Sequence, residues 1–222
     1  MDDLPVRYNE MGGFPIDHGD EPIRLFKSDF MEFFTHITPQ AVVIIWTPVI
    51  AWLLFRSIST NNAVQFPAAI VYGFVIGMFL WTFAEYTLHR FVFHFHPRKS
   101  ERLKRLVFLF HGIHHAQPQC KTRLVMPPAV SIPMAAVFYL LFHYFIGVWL
   151  NSPSWVDPVL AGFMTGYLIY DLEHYASHHF RMRWGLLRTL KRHHMRHHYK
   201  TPGQRFGVSS PLWDYVFGTL KS

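Results

Sequence analysis

Ten of the sixteen histidines in this chain fall in spaced groups: His89/His94, His111/His114/His115, His174/His178 and His194/His197/His198. Imidazole suits iron, zinc, copper and nickel. Ten candidate ligands exceed the coordination of a single ion, so the count points to two metals with about five ligands each. The lone cysteine, Cys120, excludes an internal disulfide framework and any thiolate-rich zinc or iron–sulfur site. Any metal held here must therefore accept nitrogen.

The histidines read as two copies of one unit. Each copy is an apolar helical hairpin, a spaced histidine pair, and a His-x-x-His-His triplet. His89 and His174 lie 85 positions apart, while His111/His194 and His115/His198 lie 83 apart, the near-constant offset of a duplicated half-site. Residues at i, i+3 and i+4 share one helix face, so each triplet is expected to aim three imidazoles at one point. His174 and His178 share a face as well. His89 and His94 do not, because five residues rotate a helix by about 500°, roughly 140° off register. The helix is expected to end or bend between them, with Pro97 marking the end.

Two carboxylates stand near the first histidine of each half: Glu85 four residues before His89, and Asp171 three before His174. They are candidates to orient ligating imidazoles through the second ring nitrogen, or simply interfacial carboxylates near a helix end. His18, His36, His96 and His143 lack spaced partners and read as surface or structural residues. His179 and His193 adjoin candidate ligands but point off the shared face, which suits supporting or surface roles.

The positioning elements follow from hydropathy. Half of the 222 residues are apolar and 18% are aromatic, a membrane-protein composition. About 20 apolar residues span a bilayer as a helix. Four spans are expected, at about 41–56, 66–88, 129–150 and 154–172, paired as two hairpins. The aromatic residues of these helices suit lipid contact and packing, with some lining an acyl tunnel. The net charge of +7 is concentrated beside the apolar segments, at Arg98, Lys99, Arg102, Lys104 and Arg105 and at Arg181, Arg183, Arg188, Lys191 and Arg192. Clusters so placed read as cytoplasmic flanks facing anionic lipid rather than a nucleic-acid surface. The expected fold is therefore all-α: an integral, multi-pass membrane protein with four transmembrane helices. Residues 1–40 form a cytosolic arm without a signal peptide, with a short amphipathic piece at 26–34. Residues 41–222 form the membrane domain, with cytosolic metal-binding segments 89–128 and 173–222 as a histidine-rich cap over a dinuclear site.

Several segments carry a family resemblance. They are Glu85-Tyr86-Thr87-Leu88-His89-Arg90-Phe91-Val92-Phe93-His94, His111-Gly112-Ile113-His114-His115, Arg123-Leu124-Val125-Met126-Pro127-Pro128, Tyr170-Asp171-Leu172-Glu173-His174-Tyr175, His194-Met195-Arg196-His197-His198-Tyr199 and Phe206-Gly207-Val208-Ser209-Ser210-Pro211-Leu212-Trp213-Asp214-Tyr215. From about Phe66 to Thr219 the chain resembles fatty acid 2-hydroxylases, within the wider fatty acid hydroxylase and sterol desaturase superfamily. The histidine pattern marks the superfamily, and the 123–128 and 206–214 segments favour the fatty acid branch.

That resemblance implies a membrane monooxygenase that hydroxylates C2 of a long acyl chain, free or carried in a sphingolipid. It implies a two-metal, all-histidine centre, with iron in the working enzyme, zinc possible in purified protein, and O2 as oxidant. The family's ligand positions fall on His89, His94, His111, His114, His115, His174, His178, His194, His197 and His198. An unactivated C–H bond offers no acid–base handle, so a redox metal has to cleave it. Many relatives carry a haem-binding cytochrome b5 domain with a His-Pro-Gly-Gly segment. The 40-residue arm is too short for one and His96-Pro97-Arg98 does not match, so a separate electron donor is expected, such as cytochrome b5 or a ferredoxin. The membrane would be the endoplasmic reticulum in a eukaryote or the inner membrane in a bacterium. A sterol or carotenoid hydroxylase or desaturase of the same superfamily is the alternative. A non-enzymatic metal-binding membrane protein is a second, disfavoured because only His143 lies deep in a span, whereas a transporter places polar ligands within its spans.

Overall fold

The computed structural model describes residues 16–60, 67–97 and 100–220, and these are helical with no strand among them. Arg98, Lys99 and the start of the expected second span at Phe66 lie outside the described residues. Nine α-helices follow in order: α1 (Asp29–Phe33), α2 (Pro39–Thr60), α3 (Pro67–Thr87), α4 (Glu101–Val107), α5 (Ile113–Ala116), α6 (Pro128–Phe142), α7 (Val156–His179), α8 (Gly185–Tyr199) and α9 (Leu212–Val216). Three of these runs are long and apolar enough to cross a membrane: Pro39–Ser59, Ala68–Phe93 and Pro128–Trp149, of 21, 26 and 22 residues. Their outward faces carry large apolar side chains such as Ile44, Trp52, Tyr72, Val75, Leu140 and Tyr144, all more than half exposed.

Helix α7 is equally long but different in character. Val156 to Met164 is an unbroken buried stretch, and burial continues through Gly166, Tyr167, Tyr170, Asp171 and His174. It packs chiefly against α3 and then α2, and far less against α6. Partnering therefore crosses between the two expected hairpins instead of closing each on itself.

Glycine makes that crossing possible. A Cβ on Gly77 would stand 2.0 Å from the Val159 carbonyl oxygen, and one on Gly162 would stand 1.9 Å from the Phe74 carbonyl oxygen. These contacts are reciprocal, because Phe74 and Gly77 lie 85 positions before Val159 and Gly162. Trp81 packs against Gly166 at the same offset, with 2.6 Å from its Cβ to a Cβ built on the glycine. Helices α3 and α7 thus run parallel as two quasi-equivalent partners. Each carries a Gly-x-x-x-Gly pair, Gly73/Gly77 and Gly162/Gly166, the small-residue spacing that lets membrane helices approach closely. Around the crossing Trp46, Trp81, Phe163, Tyr167 and Tyr170 fill the main core.

Beyond Thr87 the second span leaves the α-helical pattern and ends at Phe93, between His89 and His94 as the spacing argument requires. It widens into a π-helical turn over Leu88–Phe93, and the His94 N–H donates to the His89 carbonyl oxygen at 3.0 Å. A bond between residues five apart is the π pattern. It places both rings on one face, with centroids 5.0 Å apart. A second π turn, Phe108–Gly112, presents His111.

The candidate metal centre

All ten spaced histidines meet at one end of the bundle, in two groups of five. His89, His94, His111, His115 and His197 form one, and His114, His174, His178, His194 and His198 form the other, with one ring nitrogen from each histidine of a group lying within 4.8 Å of those of the others. Eight of the ten side chains are buried, while His94 and His115 are partly so.

The triplets do not aim as units. His111 and His115 serve the first group while His114 serves the second; His194 and His198 serve the second while His197 serves the first. Helix geometry explains the split. Residues four apart differ by about 40° in direction, whereas adjacent residues such as His114 and His115 differ by about 100°. The middle histidine of each triplet therefore crosses to the other half's group. Where the groups meet, His115 stacks on His198 with centroids 4.1 Å apart and planes 19° from parallel.

The donor atoms fit metal ions. In the first group the Nε2 atoms of His89 and His111 are 3.0 Å apart, those of His111 and His115 2.9 Å, and those of His94 and His197 3.0 Å. In the second, His114 lies 2.8 Å from both His174 and His198, and His178 lies 2.8 Å from His194. Nitrogens bound at about 2.0–2.1 Å to one ion, at roughly right angles, stand about 3 Å apart. Two bare ring nitrogens facing one another would otherwise repel, and tautomer evidence makes several of them bare. His89 Nδ1–H donates to the Phe206 carbonyl, and His197 Nδ1–H donates to the Gln204 carbonyl at 2.6 Å, which leaves each Nε2 a lone pair aimed inward. Burial first, then neighbouring imidazoles, hold His111, His114, His115, His178, His194 and His198 well below the usual imidazole range. Neutral rings are the form that binds metal.

The loop that supplies both carbonyl acceptors is itself held from two sides. Asp214, fully buried, accepts from the Phe206 and Gly207 N–H groups at 2.8 Å each and from His193 Nε2–H at 2.9 Å. Arg205, between the two carbonyl acceptors, has φ 60, a left-handed conformation that costs about 1–3 kcal/mol and persists where neighbours enforce it. Here its N–H is held by the Thr219 carbonyl at 3.0 Å. Glu85 grips the next residues, accepting from Val208 N–H, Ser209 N–H and the Ser209 hydroxyl. Asp171 accepts from Met126 N–H at 3.3 and 3.2 Å. Both carboxylates sit where the spacing put them, but among the described residues they accept from backbone N–H groups and a serine hydroxyl rather than from a ligating imidazole.

Asp214 was not singled out by spacing, and the signal for it is indirect: an acid in the 206–215 segment, after the last histidine triplet. His193 belongs with it, buried behind the ligand face. The glycine crossing carries no chemical signal of its own, although Gly77 and Gly162 each stand 12 residues before the first histidine of their half.

A cavity of about 240 Å³ opens beside the histidines, lined by His111, His114 and His174 and otherwise by mostly apolar side chains, among them Phe93, Phe110, Val125, Met126 and Val130. It reaches imidazoles of both groups. Such a space accepts an alkyl chain and brings a segment of it to the two nitrogen clusters.

Comparison with known proteins gives the same picture. Residues 74–219 match the fatty acid hydroxylase family. A dihydroceramide fatty acyl 2-hydroxylase from Arabidopsis thaliana is 39% identical over 213 residues, covering 96% of this chain and 86% of that protein. The fatty acid 2-hydroxylase of Mus musculus is 37% identical over 235 residues, covering 98% of this chain and 61% of that protein. Among solved structures, the hydroxylase domain of full-length scs7p superposes with a TM-score of 0.78 at 36% identity, covering 87% of this chain and 70% of that one. Two five-histidine pockets beside an apolar cavity are a hydroxylase's equipment, and by sequence and by structure this chain belongs to the fatty acid hydroxylase family.

Proposed function

We propose that this enzyme is a membrane-bound 2-hydroxylase of long acyl chains, free or carried in a sphingolipid, in which the two histidine groups each hold one metal ion, iron in the working enzyme. The observation that carries the reading is the apolar cavity ending on His111, His114 and His174, which belong to different groups. An alkyl segment lying there has its carbon within reach of both.

Two redox metals, when bound, supply the reduction of O2 and the oxidation of an unactivated C–H bond that no side chain here can perform. Per turnover, two electrons and two protons accompany O2; one oxygen atom enters the C2–H bond as hydroxyl and the other leaves as water. The chain's own residues do the rest. His89 and His197 are aimed by the Phe206 and Gln204 carbonyls, and Asp214 with Glu85 holds the loop from which those carbonyls point. Apolar walls keep water from the reacting carbon, and the cavity's shape selects which carbon is presented.

The same reading places α2, α3, α6 and α7 as four membrane crossings. The first three face lipid with their apolar surfaces. Helix α7 is shielded by the others, so its own surface need not be apolar, which supports a crossing despite Asp157 and Asp171. The histidine end carries Arg181, Arg183, Arg188, Lys191 and Arg192, the charge expected on the cytosolic side. That basic face suits an acidic electron donor such as cytochrome b5 or a ferredoxin, drawn in by electrostatic steering.

Elemental analysis of purified protein, together with mass spectrometry of lipids from a host expressing it, tests the proposal against the His194→Ala variant. Wild type should carry two metals and yield 2-hydroxy acyl species, and the variant should lose both. Full metal content and full 2-hydroxylation in His194→Ala would refute the assignment.

A further inference from the structure

One wall of the cavity does not come from the metal-bearing helices. Leu25, Phe26, Met31, Phe34 and Thr35, all ahead of the first span, line it together with Phe110 and Val130. The family match spans residues 74–219, so this wall lies ahead of it.

The wall is fastened by an ion pair and several hydrogen bonds. Arg123, its side chain 3% exposed, pairs with Glu32, its side chain 14% exposed, and also donates to the Ile23 carbonyl. The same Glu32 accepts from the N–H groups of Leu25 and Phe26, at 3.0 and 2.8 Å. His36 Nε2 accepts from Arg123 at 3.1 Å, and its Nδ1 meets the Thr122 hydroxyl at 2.8 Å. Further back, buried Gln117 accepts from Ile23 N–H at 2.8 Å and donates to Asp17 at 2.8 Å and to the Glu21 carbonyl at 2.9 Å. Gln117 follows His115 by two residues, and Arg123 leads directly into the 124–127 stretch that lines the same cavity. One ion pair therefore joins two walls of one pocket. Swinging the arm outward would leave a buried guanidinium unpaired, so the arm has one seated position.

Helix α1 is arranged to match. Phe30 and Phe33 are 71% and 73% exposed and face away, whereas Met31 and Phe34 turn to the cavity mouth. With the backbone pinned, the width of the pocket depends on how far those two side chains reach into it.

Resting on the acyl-hydroxylase reading, we propose that segment 23–37 is the specificity wall of the acyl pocket. Met31 and Phe34 set the length of chain accepted, and the Glu32–Arg123 pair holds them in register. In an apolar pocket one methylene decides selectivity by about 10–200-fold, so trimming either side chain should read out directly.

The test uses the full-length protein in two assays. In the first, Met31→Ala, Phe34→Ala and, as control, Ile44→Ala, exposed and absent from the cavity lining, are expressed in the same host, and 2-hydroxylated acyl chains are sorted by length. The wall variants should shift the ratio of long to short products by about tenfold toward longer chains, and Ile44→Ala should leave it where wild type has it. In the second, thermal stabilisation of the purified proteins by palmitic and by lignoceric acid should shift in the same direction, a readout independent of turnover. An unchanged length preference in both assays for both wall variants overturns the proposal, as does an equal shift in Ile44→Ala. A wild type that makes no 2-hydroxy product overturns the 2-hydroxylase reading instead, while a wall-dependent length preference in the binding assay would still support an acyl pocket with this wall.

Discussion

His114 and His197 occupy each other's half of the site. Each is the middle histidine of its triplet, the two lie 83 positions apart, and each joins the four histidines of the opposite copy. Neither half can complete a five-nitrogen pocket alone. The exchange makes each pocket depend on the placement of both copies, so that any metal held in either would tie the two together.

His114→Ala and His197→Ala should therefore each deplete mainly the pocket of the other half. We expect each to lose about half the metal and nearly all hydroxylation, since an all-histidine pocket stripped of one ligand binds at least tenfold more weakly. Elemental analysis per chain checks this, with His143→Ala, exposed and remote from both groups, retaining full metal. Undiminished metal in both variants would contradict the exchange.

The α3–α7 crossing should be intolerant of a single methyl. Gly77→Ala or Gly162→Ala drives a Cβ into a carbonyl at 2.0 or 1.9 Å, and overpacking of this kind costs about 1–3 kcal/mol or more. Because α3 leads into His89 and α7 carries His174 and His178, metal retention should fall along with the melting temperature in detergent. Gly203→Ala, with nothing within 4 Å of the new methyl, should melt as wild type does.

Asp214 acts on the first group at one remove. Burial raises its carboxyl, but hydrogen bonds from His193, Thr219 and the Gly207 and Phe206 N–H groups outweigh that and hold it below the usual carboxylate range. Removing the outer partner of a ligating histidine typically costs 10–100-fold in metal affinity. Asp214→Ala should show about that loss in chelator competition, and Asp214→Asn, which keeps one acceptor, a smaller one. An affinity equal to wild type in Asp214→Ala would remove it from the site.

Acid should loosen the arm. Burial, with the Arg123 charge, lowers His36 from its ordinary 6.5. Burial raises Glu32, but the Phe26 and Leu25 N–H groups and Arg123 outweigh it, leaving the carboxyl below its ordinary 4.5. Both groups bind protons more readily unfolded than folded, so the stability they contribute falls as pH drops, below 6.5 for His36 and below 4.5 for Glu32. Hydrogen exchange of residues 23–37 should accelerate across that window relative to α7. Breaking the buried pair with Glu32→Ala should cost about 3–5 kcal/mol of arm closure at neutral pH, and exchange there should then lose the acid dependence below 4.5 that Glu32 carries while keeping the His36 part below 6.5.

The ligand types, their grouping, the duplicated offset and the apolar spans were all legible along the chain. Residue identity and spacing are local properties, and ten imidazoles at matched distances from apolar runs have few other uses. The total of two five-nitrogen pockets was legible too, but their membership was not. Which histidine reaches which pocket depends on how the halves superpose, and that is decided by the glycine crossing of α3 and α7. Spacing showed that a regular helix of about 3.6 residues per turn cannot put His89 and His94 on one face, but not that a π turn brings their rings together. Gln117 and the Glu32–Arg123 pair act on partners distant along the chain, Glu32 and Arg123 lying 91 positions apart. The sequence by itself determined which chemistry the chain can perform, since donor atoms belong to residues. Only the tertiary structure decided how those donors divide between two metals and what walls the cavity beside them, since both arise from contacts between segments that no periodicity links.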